Sequence, residues 1–190
     1  MQSTCTGTPQ GLAANSTWAR GQAWATYGFT MAYRYTKNPI LLGWAKKTAE
    51  YYLQRTTIGK VGKAGKVGKV GKVLIGKAGK AQIGDGTTWM GVPAWDYDAV
   101  APNNFPDTSA AAITASALLE LAQHTSNSTY KSAAYLTLKT LVTKPGYLAN
   151  VTRSPAVLAS NQHDCGTAEC TVIESDYYLL EGIRKMKNDM

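Results

Sequence analysis

Apolar residues recur at helical spacing in five stretches of the chain, and we expect each stretch to be an α-helix. The predicted helices cover 18–36, 39–55, 109–124 and 130 to about 142, and the last begins at Asp176. The first, third and fifth are rich in glycine, alanine or aromatic residues, whereas the second and fourth are ordinary amphipathic helices that carry lysine. The pattern predicts an all-α fold.

Local signals mark where these helices begin and end. A hydroxyl of Ser16 or of its neighbour at position 17 is expected to cap the first helix, and Asp107 or Thr108 the third. Asn38 followed by proline opens the second helix, and Pro145 followed by glycine ends the fourth. The alternation of the two helix types suits inner and outer helices of an α/α toroid, which five helices cannot close.

A period-three repeat of glycine and lysine separates the second and third helices, at 59–80. It contains seven lysines and no acid, and without these lysines the net charge falls from +8 to +1. Glycine at every third position without proline does not form a collagen helix, so we expect a solvated loop inserted into a single domain of residues 1–190. Because the basicity belongs to this loop, it argues against a nucleic-acid-binding face on the fold.

The densest motif is Ser-Thr-Trp-Ala-Arg-Gly-Gln-Ala-Trp at 16–24. Arg20 and Trp24 are four residues apart and share one helix face. A guanidinium beside an indole suits a carboxylated sugar, since arginine binds carboxylates through two donors and the indole can stack on the ring. An amphipathic core helix whose arginine meets a structural acid is the alternative. Gly21 and Gly28 are expected to admit a neighbouring helix.

Several features bear on the compartment without deciding between a secreted and a cytoplasmic protein. Cys165 and Cys170 are close enough to form a disulfide, which leaves Cys5 over, and the cysteine spacing matches no zinc site. Three Asn-x-Ser/Thr sequons also favour secretion. The first residues lack the charged and apolar regions of a signal peptide, and we expect neither a natural domain start nor a membrane span.

Six motifs occur together in a fixed order along the chain. They are Gln-Gly at 10–11, the motif at 16–24, Tyr-Arg-Tyr-Thr-Lys-Asn-Pro at 33–39, Val-Pro-Ala-Trp-Asp-Tyr at 92–97, Asp-Thr-Ser-Ala-Ala-Ala-Ile at 107–113 and Asp-Tyr-Tyr at 176–178. With these motifs the chain resembles the unsaturated glucuronyl hydrolases of glycoside hydrolase family 88. The resemblance implies the C-terminal part of an (α/α)₆ barrel, a six-hairpin glycosidase-like toroid that is incomplete here.

The resemblance also implies a reaction and a set of binding residues. Family members act on a sugar with a double bond between C4 and C5 at the non-reducing end: an aspartate protonates the enol ether and water adds. By position, Gln10, Arg20, Trp24 and Tyr177 would line the substrate site, with Arg20 facing the uronate carboxylate or a neighbouring polar group and Trp24 stacking. No cofactor or metal is implied.

The catalytic aspartates of the family would lie upstream of anything that matches this chain, so we expect a catalytically incomplete fragment. Asp107 and Asp176 are better explained as helix caps, and Asp96 and Asp98 lie on an exposed-looking segment. Neither His124 nor the histidine at 163 has a sequence neighbour that would complete a catalytic triad.

The chain also departs from the family pattern at the ends that would line the cleft. Pro9 stands where the family often has histidine, and Leu12 where it often has an aromatic residue. Glu174-Ser175 replaces the Trp/Tyr-Gly that usually precedes Asp-Tyr. These changes put part of the binding site in question.

Two other functions are compatible with the sequence. A non-catalytic carbohydrate-binding or scaffold protein would show saturable affinity for a uronide that disappears in Arg20→Ala. Polyanion binding through 59–80 would show steep salt dependence and would be abolished by deletion of that tract.

Overall fold

The computed structural model describes residues 10–56, 91–160 and 170–188. Five helices account for most of them: α1 (Ala19–Thr36), α2 (Pro39–Arg55), α3 (Thr108–Thr125), α4 (Ser128–Thr143) and α5 (Ile173–Asn188). In these described ranges the only extended pairing consists of three isolated β-bridges, so the all-α class is confirmed. The lysine–glycine tract lies outside the described residues.

Helix α3 is at the centre of the fold. It packs against α1, α4 and α5, and α2 packs mainly against α1. Every residue of α3 from 108 to 122 is buried. The many alanines and serines of α3 permit this, because small side chains let neighbouring helices approach from several directions. The predicted alternation is confirmed: α3 packs against both α1 and α5, while α2 packs mainly against α1 and α4 mainly against α3.

Most predicted helix bounds agree with the structure to within two residues. Helix α2 has the predicted bounds, and the side chain of Asn38 caps it. Helix α3 starts one residue early, and Asp107 is its N-cap. Helix α4 starts two residues early because Asn127 caps it instead of lying in the preceding loop. Asparagine and aspartate are strong N-caps, so these starts follow from local chemistry.

The expected hydroxyl cap of α1 is wrong. The N-cap residue is Trp18, whose side chain makes no capping hydrogen bond. The chain that precedes α3 runs across the start of α1 instead, and the N–H of Ala19 donates to the carbonyl of Trp95 at 2.9 Å. The hydroxyl of Ser16 donates to the carboxylate of Asp96 at 2.7 Å. A tertiary contact therefore uses the hydroxyl that the local pattern assigned to the cap.

The expected role of the two glycines in α1 is also wrong. A Cβ on Gly21 would lie 2.8 Å from the ring of Trp18, so this glycine makes room for an indole three residues earlier in the chain. A Cβ on Gly28 would have nothing within 4 Å. Neither position admits a neighbouring helix.

Helix α5 begins at Ile173, three residues before its predicted start. Asp176 therefore lies in the first turn of the helix and is not its cap. Its carboxylate accepts hydrogen bonds from the N–H groups of Val157 and Leu158, at 3.0 and 2.9 Å. The acid attaches the loop before α5 to the helix, and a negative charge is also favourable at a helix N-terminus.

Candidate functional site

The starts of α1, α3 and α5 meet at a buried ion pair. Nη2 of Arg20, in the first turn of α1, donates to Oδ2 of Asp107 at 3.2 Å. Nη1 of Arg20 lies 3.5 Å from Oε1 of Glu174, in the first turn of α5. Arg20 is 4% and Asp107 0% exposed, whereas the side chain of Glu174 is 32% exposed. One guanidinium thus joins three helix starts, and Glu174 is the more exposed of these two carboxylates.

The second oxygen of Asp107 is used within its own helix. Oδ1 accepts from the N–H of Ala110 at 3.0 Å and from the hydroxyl of Ser109 at 2.5 Å. Asp107 therefore caps α3 and pairs with Arg20 at the same time, as a fully bonded structural acid. These contacts agree with the alternative interpretation of the motif, in which an amphipathic core helix carries an arginine that meets a structural acid.

Four aromatic side chains of α1 and α5 form a group that we call the aromatic patch. Its members are Trp24, Tyr27, Tyr177 and Tyr178. The ring of Tyr178 is central and makes edge-to-face contacts with the other three, at centroid distances of 5.3, 4.8 and 4.9 Å. Trp24 is partly buried and Tyr177 is 57% exposed. Such contacts hold the rings in a defined arrangement while one edge of the group remains open to solvent.

The alternation of acids and aromatic residues predicted that Asp96 and Asp98 are exposed; this is correct for Asp98 and wrong for Asp96. Asp96 is 0% exposed and accepts hydrogen bonds from the N–H of Leu12 and the N–H of Asp98, both at 2.9 Å, and from the hydroxyl of Ser16. The reason is that the chain before α1 lies across this segment and covers it. Gln10 is exposed in that same covering stretch, two residues before Leu12.

A largely buried charge network between α3 and α5 was not predicted from the sequence. Nζ of Lys185 lies 3.1 Å from Oε2 of Glu120 and 3.3 Å from Oε2 of Glu181. Glu181 also accepts from the hydroxyls of Ser116 and Tyr27. The spacing of Glu181 and Lys185, four residues apart on one helix, was the only sequence signal for the network. Paired and bonded in this way, the charges can be buried without a large penalty.

The protonation of the two groups that link this network to the aromatic patch follows from their partners. Burial raises the pKa of Tyr27, and the nearby charge of Glu181 raises it further, so the hydroxyl stays a neutral donor. Burial alone would raise the pKa of Glu181 as well. The hydrogen bond from Ser116 and the charge of Lys185 outweigh burial, and the pKa of Glu181 lies below its ordinary value.

No nucleophilic or metal centre is formed by the described residues. Nε2 of His124 lies 3.7 Å from Oε1 of Glu120, and its ring meets Tyr33 edge-to-face. Within residues 10–56, 91–160 and 170–188, no three His, Cys, Asp or Glu side chains are grouped to hold a metal ion. Cys170 is in a disulfide bond, while the other two cysteines and the histidine at 163 lie outside the described residues.

The structure brings together some of the predicted site residues. Trp24 and Tyr177 meet through Tyr178 in the aromatic patch, and Arg20 lies one turn before Trp24 on α1. Glu174, which the sequence analysis recorded only as a departure from a pattern, is a direct partner of Arg20.

None of the helices in the described part of the chain has the length and apolar character needed to cross a membrane.

Comparison with known proteins relates the chain to one group of enzymes. It is 35% identical over 188 residues to an unsaturated glucuronyl hydrolase of Formosa agariphila, a match that covers 95% of this chain and 39% of that protein. It is 30% identical over 181 residues to the unsaturated glucuronyl hydrolase of Bacillus sp. strain GL1, covering 93% of this chain and 36% of the relative. No protein-family model matches the chain.

The solved structures agree with the sequence relatives. The crystal structure of the Bacillus sp. GL1 enzyme, described as responsible for the degradation of glycosaminoglycan, superimposes with a TM-score of 0.71 at 28% identity over 96% of this chain and 42% of that one. An unsaturated glucuronyl hydrolase specific for heparin gives a TM-score of 0.71 at 26% identity, over 99% of this chain and 44% of the other. The chain spans about two fifths of the length of the relatives that it matches. Over most of its length the chain is therefore similar to a part of the unsaturated glucuronyl hydrolases of glycoside hydrolase family 88, and it corresponds to a part of their (α/α)₆ toroid.

Proposed function

We propose that the chain forms one wall of the substrate cleft of an unsaturated glucuronyl hydrolase. The ligand is an oligosaccharide that ends in a 4,5-unsaturated uronic acid, and the whole enzyme hydrates its enol ether. The similarity to unsaturated glucuronyl hydrolases supports the class of ligand. The observation that carries the proposal is the open aromatic patch beside Arg20, built from the N-terminal halves of α1 and α5.

Each predicted site residue has a role that fits its surroundings. Trp24 and Tyr177 offer apolar ring surface to a sugar, and Tyr178 between them holds both rings in place. Gln10 is exposed, and an amide can both donate hydrogen bonds to sugar hydroxyls and accept them. The resemblance implied that Arg20 faces either the uronate carboxylate or a neighbouring polar group. Its contacts with the carboxylates at the starts of α3 and α5 favour the neighbouring polar group.

The aspartates of the described residues are not arranged as proton donors. Asp96, Asp107 and Asp176 are buried, and their carboxylate oxygens accept hydrogen bonds from N–H or O–H groups of the protein. Asp98 is exposed and pairs with the guanidinium of Arg55. A general acid must instead carry a proton next to the reacting carbon. We propose that the chain by itself binds the uronide without converting it.

Calorimetric titration of the full chain with an unsaturated uronide disaccharide tests binding. We expect saturable binding that weakens about tenfold in Trp24→Ala, which corresponds to about 1.4 kcal/mol, the upper part of what one aromatic contact contributes. The control is Trp44→Ala on α2, since Trp44 is also a helix-surface tryptophan but stacks on Phe29, away from the patch. The control should bind like the wild type.

The same mixtures report on turnover through the absorbance of the C4–C5 double bond conjugated to the carboxylate. We expect this absorbance to stay constant with the chain alone. Loss of absorbance would show that the chain contains a working acid. Absence of binding, or equal weakening by the two tryptophan substitutions, would contradict the proposed cleft wall.

A further inference from the structure

Glu174 occupies the accessible side of the guanidinium of Arg20. Asp107 holds Nη2 from the protein interior and is fully buried, while Glu174 approaches Nη1 and retains about a third of its side-chain exposure. Arg20 itself is 4% exposed. A ligand carboxylate that used this guanidinium would have to approach from the side where Glu174 lies and displace or adjoin it.

The charge balance at this junction is unfavourable for an additional anion. Among the ion pairs of the described residues, two carboxylates face this guanidinium, so the side chains of Arg20, Asp107 and Glu174 together carry a net negative charge. A ligand carboxylate about 5 Å from Glu174, partly screened by water, would lose roughly tenfold in affinity through repulsion between like charges. A neutral sugar would not experience this loss.

We propose that Glu174 sets the charge selectivity of this end of the cleft, an inference that rests on the proposed function. Its carboxylate takes the place beside Arg20 that a ligand carboxylate would otherwise take. An uncharged residue at 174 would therefore increase the preference of the chain for acidic sugars over neutral ones. Glu174 acts as a specificity-determining residue and takes no part in the reaction.

The test compares two ligands that differ in one charge. They are the unsaturated uronide disaccharide and its uronate methyl ester, and the Kd of each is measured by calorimetry on the full chain. We expect Glu174→Gln to shift the ratio of the two Kd values about tenfold in favour of the acid, mainly through tighter binding of the acid. Glu174→Asp keeps the charge, and Glu50→Gln changes an exposed acid on α2, so both should stay within about twofold of the wild-type ratio.

The outcomes separate this inference from the proposed function. If both ligands bind in a manner that depends on Trp24 but Glu174→Gln leaves the ratio unchanged, the role of Glu174 is refuted and the cleft wall stands. If neither ligand binds to any of the proteins, the proposed function fails and the inference fails with it. Thermal unfolding monitored by circular dichroism identifies a variant that does not fold. If Glu174→Gln does not fold, the Glu174→Asp protein provides the test. A change in its ratio of the two Kd values, although the charge at 174 is retained, would refute the proposal.

Discussion

Substitution of Asp107 tests whether the junction of α1, α3 and α5 stabilises the fold. Asp107→Asn keeps a side-chain oxygen for the N–H of Ala110, at 3.0 Å, but removes the negative charge that faces Arg20 at 3.2 Å. Asp107→Ala removes the cap and the charge together. The pair of substitutions therefore separates the ion pair from the helix cap.

The magnitude follows from burial and from the remaining partner of the arginine. Loss of one partner from a buried ion pair costs about 3–5 kcal/mol, because the other charge is left without compensation. Glu174 lies 3.5 Å from the same guanidinium and offsets part of that cost. We expect Asp107→Asn to lower the free energy of unfolding by about 2–3 kcal/mol. Asp107→Ala should lose about 1 kcal/mol more, the usual contribution of an N-cap.

Urea unfolding of the full chain, followed by far-ultraviolet circular dichroism, measures these differences. The control is Asn127→Ala, because Asn127 caps α4 through the N–H of Thr129 at 2.9 Å in the same way as Asp107 caps α3. It should cost about 1 kcal/mol. If Asp107→Asn costs no more than this control, the ion pair does not stabilise the junction and the reasoning is refuted.

Two further predictions concern stability away from the junction. Since the partners of Glu181 lower its pKa in the folded state, its carboxylate stabilises the fold above the ordinary glutamate pKa of about 4.3, and this contribution is lost as the pH falls through the folded value. Urea midpoints between about pH 3 and pH 6 should therefore fall less steeply for Glu181→Gln than for the wild type, and parallel curves would contradict the assignment. Gly91→Ala should cost more than about 2 kcal/mol, because φ is +78° and the new Cβ would overlap a side chain of α4. The control Gly146→Ala has φ +85° with nothing within 4 Å and should cost about 1 kcal/mol, so equal urea-unfolding losses would contradict the packing argument.

The helices themselves could be predicted from local chemistry. The asparagine and proline at 38 and 39 define the start of α2, and a run of small apolar residues after Asp107 defines a helix that is buried on all sides. These signals act over three or four residues, so they can be recognised in the sequence without knowledge of the fold. The ordered motifs also predicted the similarity to unsaturated glucuronyl hydrolases before any geometry was known.

The contacts of the site could not be predicted in the same way. The sequence placed Arg20 and Trp24 on one helix face but did not show that the guanidinium points to acids at the starts of two other helices, 87 and 154 positions away in the chain. For the same reason Asp96 was taken as exposed, although a segment 84 residues earlier covers it. Local patterns describe which residues a helix presents, whereas the partner of a buried charge depends on which distant segment packs against it. The surroundings of Arg20 were therefore decided only when the three inner helices came together.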